Sequence, residues 1–188
     1  QDNALTAAVD ALGHVQHYTY TDGRMTRHRD RNGLSFYYQY DGKGRCLHGW
    51  RANGLYDCRL DYQPYQRCTR VTNSLGHAWQ YYFDADRLPI KVVDPTGAAT
   101  LYEYDAVGRV VVVIDPLERI TRYAYDAAGN VIEITRPDDS RMLFVHDAQN
   151  RPVQVMDPND HIWEQQFDAQ GRLFAKISAL GHKTLYSY

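Results

Sequence analysis

Residues 99–118 read Ala99-Thr100-Leu101-Tyr102-Glu103-Tyr104-Asp105, then Ala106-Val107-Gly108-Arg109, then Val110-Val111-Val112-Val113-Ile114, then Asp115-Pro116-Leu117-Glu118. Tyr102 and Tyr104 are two apart, so a strand here puts both rings on one face. Asp105 to Gly108 carries turn chemistry: Asp accepts hydrogen bonds from its own following backbone, and Gly tolerates positive φ. Arg109 to Ile114 is a continuous β-branched run and reads as a second strand. Asp115-Pro116 opens the next turn, with φ of the proline preset. About twenty residues thus give strand, turn, strand, turn.

The same phrase recurs outward in both directions. Its leading position falls at Gly13, Gly33, Gly54, Gly76, Gly97, Glu118, Asp139, Asp160 and Gly181, at steps of 20, 21, 22 and then 21 throughout. Seven residues later stands an aromatic: Tyr20, Tyr40, Phe83, Tyr104, Tyr125, Phe167 and Tyr188, with His146 in one repeat and Tyr62 displaced by one. A second aromatic precedes it by two, as in Tyr18, Tyr38, Tyr81, Tyr102, Tyr123 and Phe144. Arg24, Arg45, Arg67, Arg87, Arg109, Arg151 and Arg172 follow the turn, and Asn130 is the exception. Asp-Pro recurs at Asp94-Pro95, Asp115-Pro116 and Asp157-Pro158. A period of this length in a repeated hairpin means stacked neighbours, because one repeat cannot bury its apolar face alone. The expected fold is all-β: about eight to nine repeated antiparallel hairpins over residues 1–188 as a single array, roughly sixteen strands in a curved ribbon, with residues 51–72 irregular around Gln63-Pro64-Tyr65. Equivalent tyrosines are expected to stack in register as rows, each cross-strand pair worth about 0.2–1 kcal/mol.

Composition supports this and excludes other classes. The chain has 188 residues, 16 of them Tyr, and a formal charge of −2. Only Lys43, Lys91, Lys176 and Lys183 are lysines. Near-neutral charge argues against nucleic acid or an anionic membrane as partner. No apolar stretch approaches the roughly 18 residues of a membrane helix. Residues 1–10 lack a basic segment followed by an apolar one, so no signal peptide is expected. The absence of an initial Met and of polar capping repeats reads as an excerpt of a longer array.

Tyr102-Glu103-Tyr104-Asp105-Ala106-Val107-Gly108-Arg109 and Tyr123-Ala124-Tyr125-Asp126-Ala127-Ala128-Gly129-Asn130 resemble the YD repeat. The intervening Asp115-Pro116-Leu117-Glu118-Arg119-Ile120-Thr121-Arg122 resembles the linker phrase of Rhs (rearrangement hot spot) proteins. The resemblance implies a long β-sheet wound into a hollow spiral shell. In bacterial members such a shell encloses a C-terminal toxin, separated from it by a self-cleaving segment. Members include type VI secretion effectors, the C component of Tc insecticidal toxins, wall-associated contact-dependent toxins and the animal teneurins. It therefore implies a structural segment of a polymorphic-toxin cage, secreted or delivered from a bacterial cell. Its partners would be the rest of its own shell and the enclosed toxin domain, with secretion-machinery or chaperone proteins and carbohydrate as further candidates. The alternative is a carbohydrate- or receptor-binding adhesion surface, for which Trp50, Trp79 and Trp163 offer ring faces.

No catalysis, cofactor or metal is expected in this segment. The aspartates at the turns, Asp41, Asp84, Asp105, Asp126, Asp147 and Asp168, supply one carboxylate each, too few for Ca²⁺, and read as turn caps paired with arginine. The self-cleaving end of many Rhs shells carries Asp-Pro-x-Gly-Leu. Asp94-Pro95-Thr96-Gly97 approaches it, but Ala98 replaces the Leu and the phrase recurs in the repeat's register. A processing segment would lie beyond Tyr188. His14, His77, His161 and His182 read as solvated turn residues. Cys46 and Cys68 occupy an apolar slot and are expected to be buried and inert; Cys46 with His48 is same-strand proximity rather than a nucleophile–base pair. Cys58 completes an odd count that fits no zinc spacing. The residues expected to matter are structural: Tyr20, Tyr40, Phe83, Tyr102, Tyr104, Asp105, Gly108, Arg109, Tyr123, Tyr125, Asp126, Gly129, Phe167, Asp168, Gly171 and Arg172.

Overall fold

The computed structural model describes residues 4–188; Gln1–Asn3, the start of the stretch searched for a signal peptide, lie outside the described residues. The chain divides into two compact units, residues 1–99 and 100–188. The first holds β1 (Ala7–Val9), β2 (Val15–Thr21), β3 (Arg24–Arg29), β4 (Ser35–Tyr40), β5 (Cys46–Arg51), β6 (Cys58–Gln63), β7 (Cys68–Asn73), β8 (Ala78–Phe83) and β9 (Pro89–Val93). The second holds β10 (Ala99–Tyr104), β11 (Val110–Ile114), β12 (Ile120–Tyr125), β13 (Val131–Thr135), β14 (Arg141–His146), β15 (Pro152–Met156), β16 (Ile162–Phe167), β17 (Leu173–Ile177) and β18 (Lys183–Leu185). Within each unit every strand pairs antiparallel with the next. The fold is all-β. Residues 51–72 contain two 3-10 turns, Ala52–Gly54 and Pro64–Gln66, on either side of β6.

One turn design builds most of the hairpins. At Asp105 the side-chain Oδ1 accepts the N–H groups of Val107 and Arg109, at 3.0 and 2.9 Å. The Gly108 N–H donates to the Asp105 carbonyl, and the Asp105 N–H donates to the Arg109 carbonyl. The fourth residue takes the left-handed region: Gly108 at φ 83, and Glu118 at φ 60 in the following turn. That is a three-residue hairpin loop, with the aspartate satisfying two N–H groups the ladder leaves open. The device repeats at Asp115, Asp126, Asp147, Asp157 and Asp168, alternately 10 and 11 residues apart once Arg136 is included.

The odd period has a structural cause. Each hairpin closed by a Tyr-Asp turn contains one bulge. Glu103 faces Val112 but Tyr104 faces Val110, so Val111 is extra. Ile132, Val153 and Phe174 are extra in the same way, and so are Thr26, Leu47 and Ile90 in the first unit. Directly paired residues share a face, and a one-residue slip swaps faces. Two identical turns ten residues apart would bring each residue opposite one twenty later, on the wrong face for a 21-residue repeat. The bulge reduces that step to 19: Glu103 pairs with Val112, and Val112 with Arg122.

The tyrosine rows therefore differ from the expectation. Arg122 is two residues short of Ala124, the true equivalent of Glu103, and the same stagger holds along each unit. Tyr102 lies level with Val113 and Thr121, while Tyr123 lies level with Ile134 and Met142. Equivalent tyrosines sit diagonally, about 7 Å along the strand from register. Rings stack where the stagger brings different aromatics level: Tyr18 on His28 at 5.1 Å, and His28 on Phe36 at 6.1 Å. Tyr37 stacks on Trp50 at 5.6 Å.

Burial is thin. Among the described residues, Cys68, Val112 and Ala175 are the buried apolar side chains and Ser35 the buried polar one. On β12, Thr121, Tyr123 and Tyr125 are half-buried, whereas Ile120, Arg122 and Ala124 on the other face are exposed. A sheet covered on neither face has only neighbouring strands to shield it.

Candidate functional site

The recurring residues of the repeat converge on one arrangement. Arg109 donates from Nε to Asp105 Oδ2 at 2.6 Å, in the same turn. Its guanidinium lies over the ring of Tyr125, one repeat later, at 4.7 Å from the centroid. The Tyr125 hydroxyl donates back to the Val110 carbonyl at 2.7 Å. Arg109 Nη1 also donates to the Asp126 carbonyl at 3.2 Å. Aspartate, arginine and tyrosine thus clasp two successive repeats.

The clasp recurs. Arg45 binds Asp41 and covers Tyr62 at 4.3 Å, and the Tyr62 hydroxyl donates to the Cys46 carbonyl. Arg151 binds Asp147 and covers Phe167 at 4.6 Å. Arg172 binds Asp168 and covers Tyr188 at 5.2 Å, with the Tyr188 hydroxyl on the Leu173 carbonyl. Tyr40 donates to the Met25 carbonyl at 2.8 Å. Glycine serves the same contact. A Cβ on Gly171 would lie 3.4 Å from Arg151 Nη1, and on Gly44 it would lie 3.1 Å from the Arg24 guanidinium. Each ion pair is partly open to solvent and contributes little by itself. Each arginine–ring contact contributes about 0.5–1 kcal/mol. The sum over repeats is what matters.

The predicted positions divide accordingly. Tyr40, Tyr125, Asp105, Asp168, Arg109 and Arg172 carry clasp bonds, and Phe167 offers a ring without a hydroxyl. Gly108, Gly129 and Gly171 hold the left-handed turn position. Tyr20, Phe83 and Tyr104 close bulged hairpins. Tyr102 and Tyr123 sit mid-strand with no clasp role. Asp126 caps its turn, but its partner is Asn130, whose Nδ2 donates to Asp126 Oδ2 and to Asn150 Oδ1, both at 2.9 Å. The aromatic that Asn130 should cover is replaced by His146, whose Nδ1 is buried without a hydrogen-bond partner. The two exceptions in the sequence are thus the two halves of one altered clasp. Their separation of sixteen residues, the same as from Arg109 to Tyr125, is the signal that links them.

Electrostatics follow the turns. The Arg109 N–H, then the Arg109 side chain, hold the Asp105 carboxyl below its ordinary pKa despite an opposing desolvation effect. Asp168 is lowered first by the Arg172 N–H. Asp94 is held by the Thr96 hydroxyl at 2.7 Å and by the N–H groups of Thr96 and Ala98, as a turn cap like the others. His14 and His161 each meet the aspartate four residues back, at 3.1 Å.

A cluster absent from the sequence reading sits on β5. His48 Nε2 meets Asp57 Oδ2 at 2.7 Å, and its ring stacks on Trp50 at 4.4 Å. Asp57 also pairs with Arg59. Cys46 points its thiol at the His48 carbonyl, not its ring. All three cysteines are free; Cys68 is buried but Cys46 only half-buried, which corrects the expectation for the latter. Burial pushes the Cys58 and Cys68 thiols up. Among the described residues no three His, Cys, Asp or Glu side chains group as a metal site. Among the described residues no helix is long and apolar enough to cross a membrane.

The RHS Repeat family model matches residues 85–117 and 104–141. No curated protein sequence matches the chain. Among solved structures, the chain is similar to a TcdB2-TccC3 crystal structure, with TM-score 0.66 and 17% identity over 86% of this chain and 10% of that one. A TcdB2-TccC3-TEV structure gives TM-score 0.66 and 17% identity over 92% of this chain and 11% of that one. A Photorhabdus luminescens Tc holotoxin pore with mutated TccC3 gives TM-score 0.58 and 15% identity over 97% of this chain and 11% of that one. The chain spans about a tenth of the length of these proteins. Residues 85–141 thus match the RHS Repeat, and the chain shares the all-β fold of these TccC3-containing structures.

Proposed function

We propose that residues 1–188 form one continuous stretch of the wall of an Rhs/YD-repeat cage. In this reading the cage encloses a C-terminal toxin domain and keeps it from the cytosol until delivery from a bacterial cell. The supporting observation is the fold shared with TccC3-containing toxin complexes over nearly all of this chain and a tenth of theirs. The local chemistry suits a wall. Clasps tie repeat to repeat, and the turn aspartates, Asp94 among them, act as caps.

The test is the parent polypeptide, purified intact and imaged. A closed repeat wall around a C-terminal domain that resists protease until the wall is denatured is the expected result. A C-terminal domain digested as fast before denaturation as after it overturns encapsulation. A second reading, an adhesion surface for carbohydrate, rests on Trp163, which is 50% exposed on β16. Glycan-array binding lost in Trp163→Ala would favour it.

A further inference from the structure

Two neighbouring repeats in the first unit break the clasp in the same place. At the Pro64–Gln66 turn, Gln63 and Pro64 stand where the other hairpins have their capping aspartate. Arg67 therefore takes the left-handed position, φ 47, with no carboxylate in its own turn. One repeat on, Arg87 occupies the left-handed position of the Asp84 turn at φ 68, and Leu88 holds the place where a paired arginine would stand. The Phe83 N–H donates to the Arg67 carbonyl at 2.9 Å, which brings the two turns side by side. Among the described residues, neither guanidinium has an ion-pair or hydrogen-bond partner.

Both arginines line one open cavity of about 570 Å³, together with Arg45, Tyr62, Phe83 and Asp84. That volume lies in the range of small-molecule sites. Arg45 is engaged by Asp41 and forms, with Tyr62, an aromatic and cationic floor. Asp84 spends Oδ1 on the N–H groups of Asp86 and Leu88. The lining thus includes three arginines, one of them paired with Asp41, and one carboxylate, Asp84, whose Oδ1 caps its own turn. A guanidinium presents a planar fork of N–H donors that matches carboxylate and phosphate oxygens.

We infer that the cavity between Arg67 and Arg87 binds a small molecule through a phosphate or carboxylate group. Arg67 and Arg87 donate to its oxygens, and the Tyr62 and Phe83 rings contact its apolar part. The inference does not rest on encapsulation, since an adhesive array would carry the same cavity.

The 188-residue chain, labelled with ¹⁵N, is titrated at low ionic strength with inorganic phosphate and, separately, with acetate. Saturable amide shifts at residues 64–69 and 83–88 are expected with at least one anion. The Arg67→Asn/Arg87→Asn variant should weaken that binding about tenfold or more, equal to about 1.4 kcal/mol. Asn tolerates the left-handed region, so the turns persist, and an unchanged melting temperature verifies this. Arg70→Gln/Arg122→Gln removes equal charge from exposed strand positions and should bind like the parent. Saturation by phosphate alone or acetate alone identifies the group. Failure of both anions to saturate the parent chain, or equal weakening by the two double variants, overturns the inference.

Discussion

The Arg109 guanidinium lies 4.7 Å from the centre of the Tyr125 ring, while the hydroxyl of that tyrosine bonds the carbonyl of Val110, beside the same arginine. One residue pair thus ties two repeats through side chain and backbone at once. Tyr125→Phe keeps the ring and loses one hydrogen bond, which costs about 1 kcal/mol. Tyr125→Ala also loses the ring and should cost roughly 2–3 kcal/mol for a half-buried aromatic. Urea denaturation measures both, and an unchanged midpoint for the alanine variant would remove the clasp from the stabilising contacts.

Asn130 and His146 offer the reverse experiment. Asn130→Arg with His146→Tyr should rebuild the missing clasp and remove the unpartnered imidazole nitrogen. The double variant is expected to exceed the sum of the singles by about 0.5–1 kcal/mol. Strict additivity in a double-mutant cycle would mean that these positions do not meet.

Acid should loosen the array. Asp105 and Asp168 are held below their ordinary pKa in the folded chain, chiefly by backbone N–H groups. A lowered folded pKa favours the folded state above the unfolded value of about 4, and that advantage disappears as pH falls through the folded pKa. The melting temperature should stay level from neutral pH to about pH 5 and drop below about pH 4. Asp105→Asn keeps an oxygen for the turn but loses the ionisable group, so its profile should fall less steeply. A profile that rises on acidification contradicts the assignment.

The left-handed turn position gives a pair of opposite signs. Gly129 sits at φ 92 with room around it, so Gly129→Ala pays only backbone strain, about 1–2 kcal/mol. Glu118 sits at φ 60 in the equivalent position, and Glu118→Gly should raise stability by up to about 1 kcal/mol. Thermal melts of the two variants should move in opposite directions.

Much of this fold was legible because its determinants are local. The aspartate cap, the left-handed fourth residue and the alternating tyrosines lie within a few residues of one another, and their recurrence marks most of the hairpins. The stagger was not legible, because it depends on how two turns and a bulge add up across three strands; Val111 looks like any other residue of its valine run. The clasp was half visible. Asp105 and Arg109 are neighbours in sequence, but the ring that Arg109 covers is sixteen residues away. The loop at Gln63-Pro64-Tyr65 was visible as an irregularity, whereas the release of Arg67 and Arg87 into one cavity emerges only when adjacent turns are placed side by side.

The single bulge in each Tyr-Asp hairpin makes the repeat indivisible. Duplicating a whole repeat in the gene adds two strands and restores every side chain to its own face and every turn to its own edge. Adding half a repeat would put Asp-Pro turns where clasps belong, and adding one residue would turn every downstream ring outward unless a second irregularity absorbed it. In the first unit the step of 22 between Gly54 and Gly76 coincides with a hairpin, Cys58–Gln63 with Cys68–Asn73, that carries no bulge. An array of this kind changes length in whole repeats, and where it departs from that step it leaves a site unlike its neighbours.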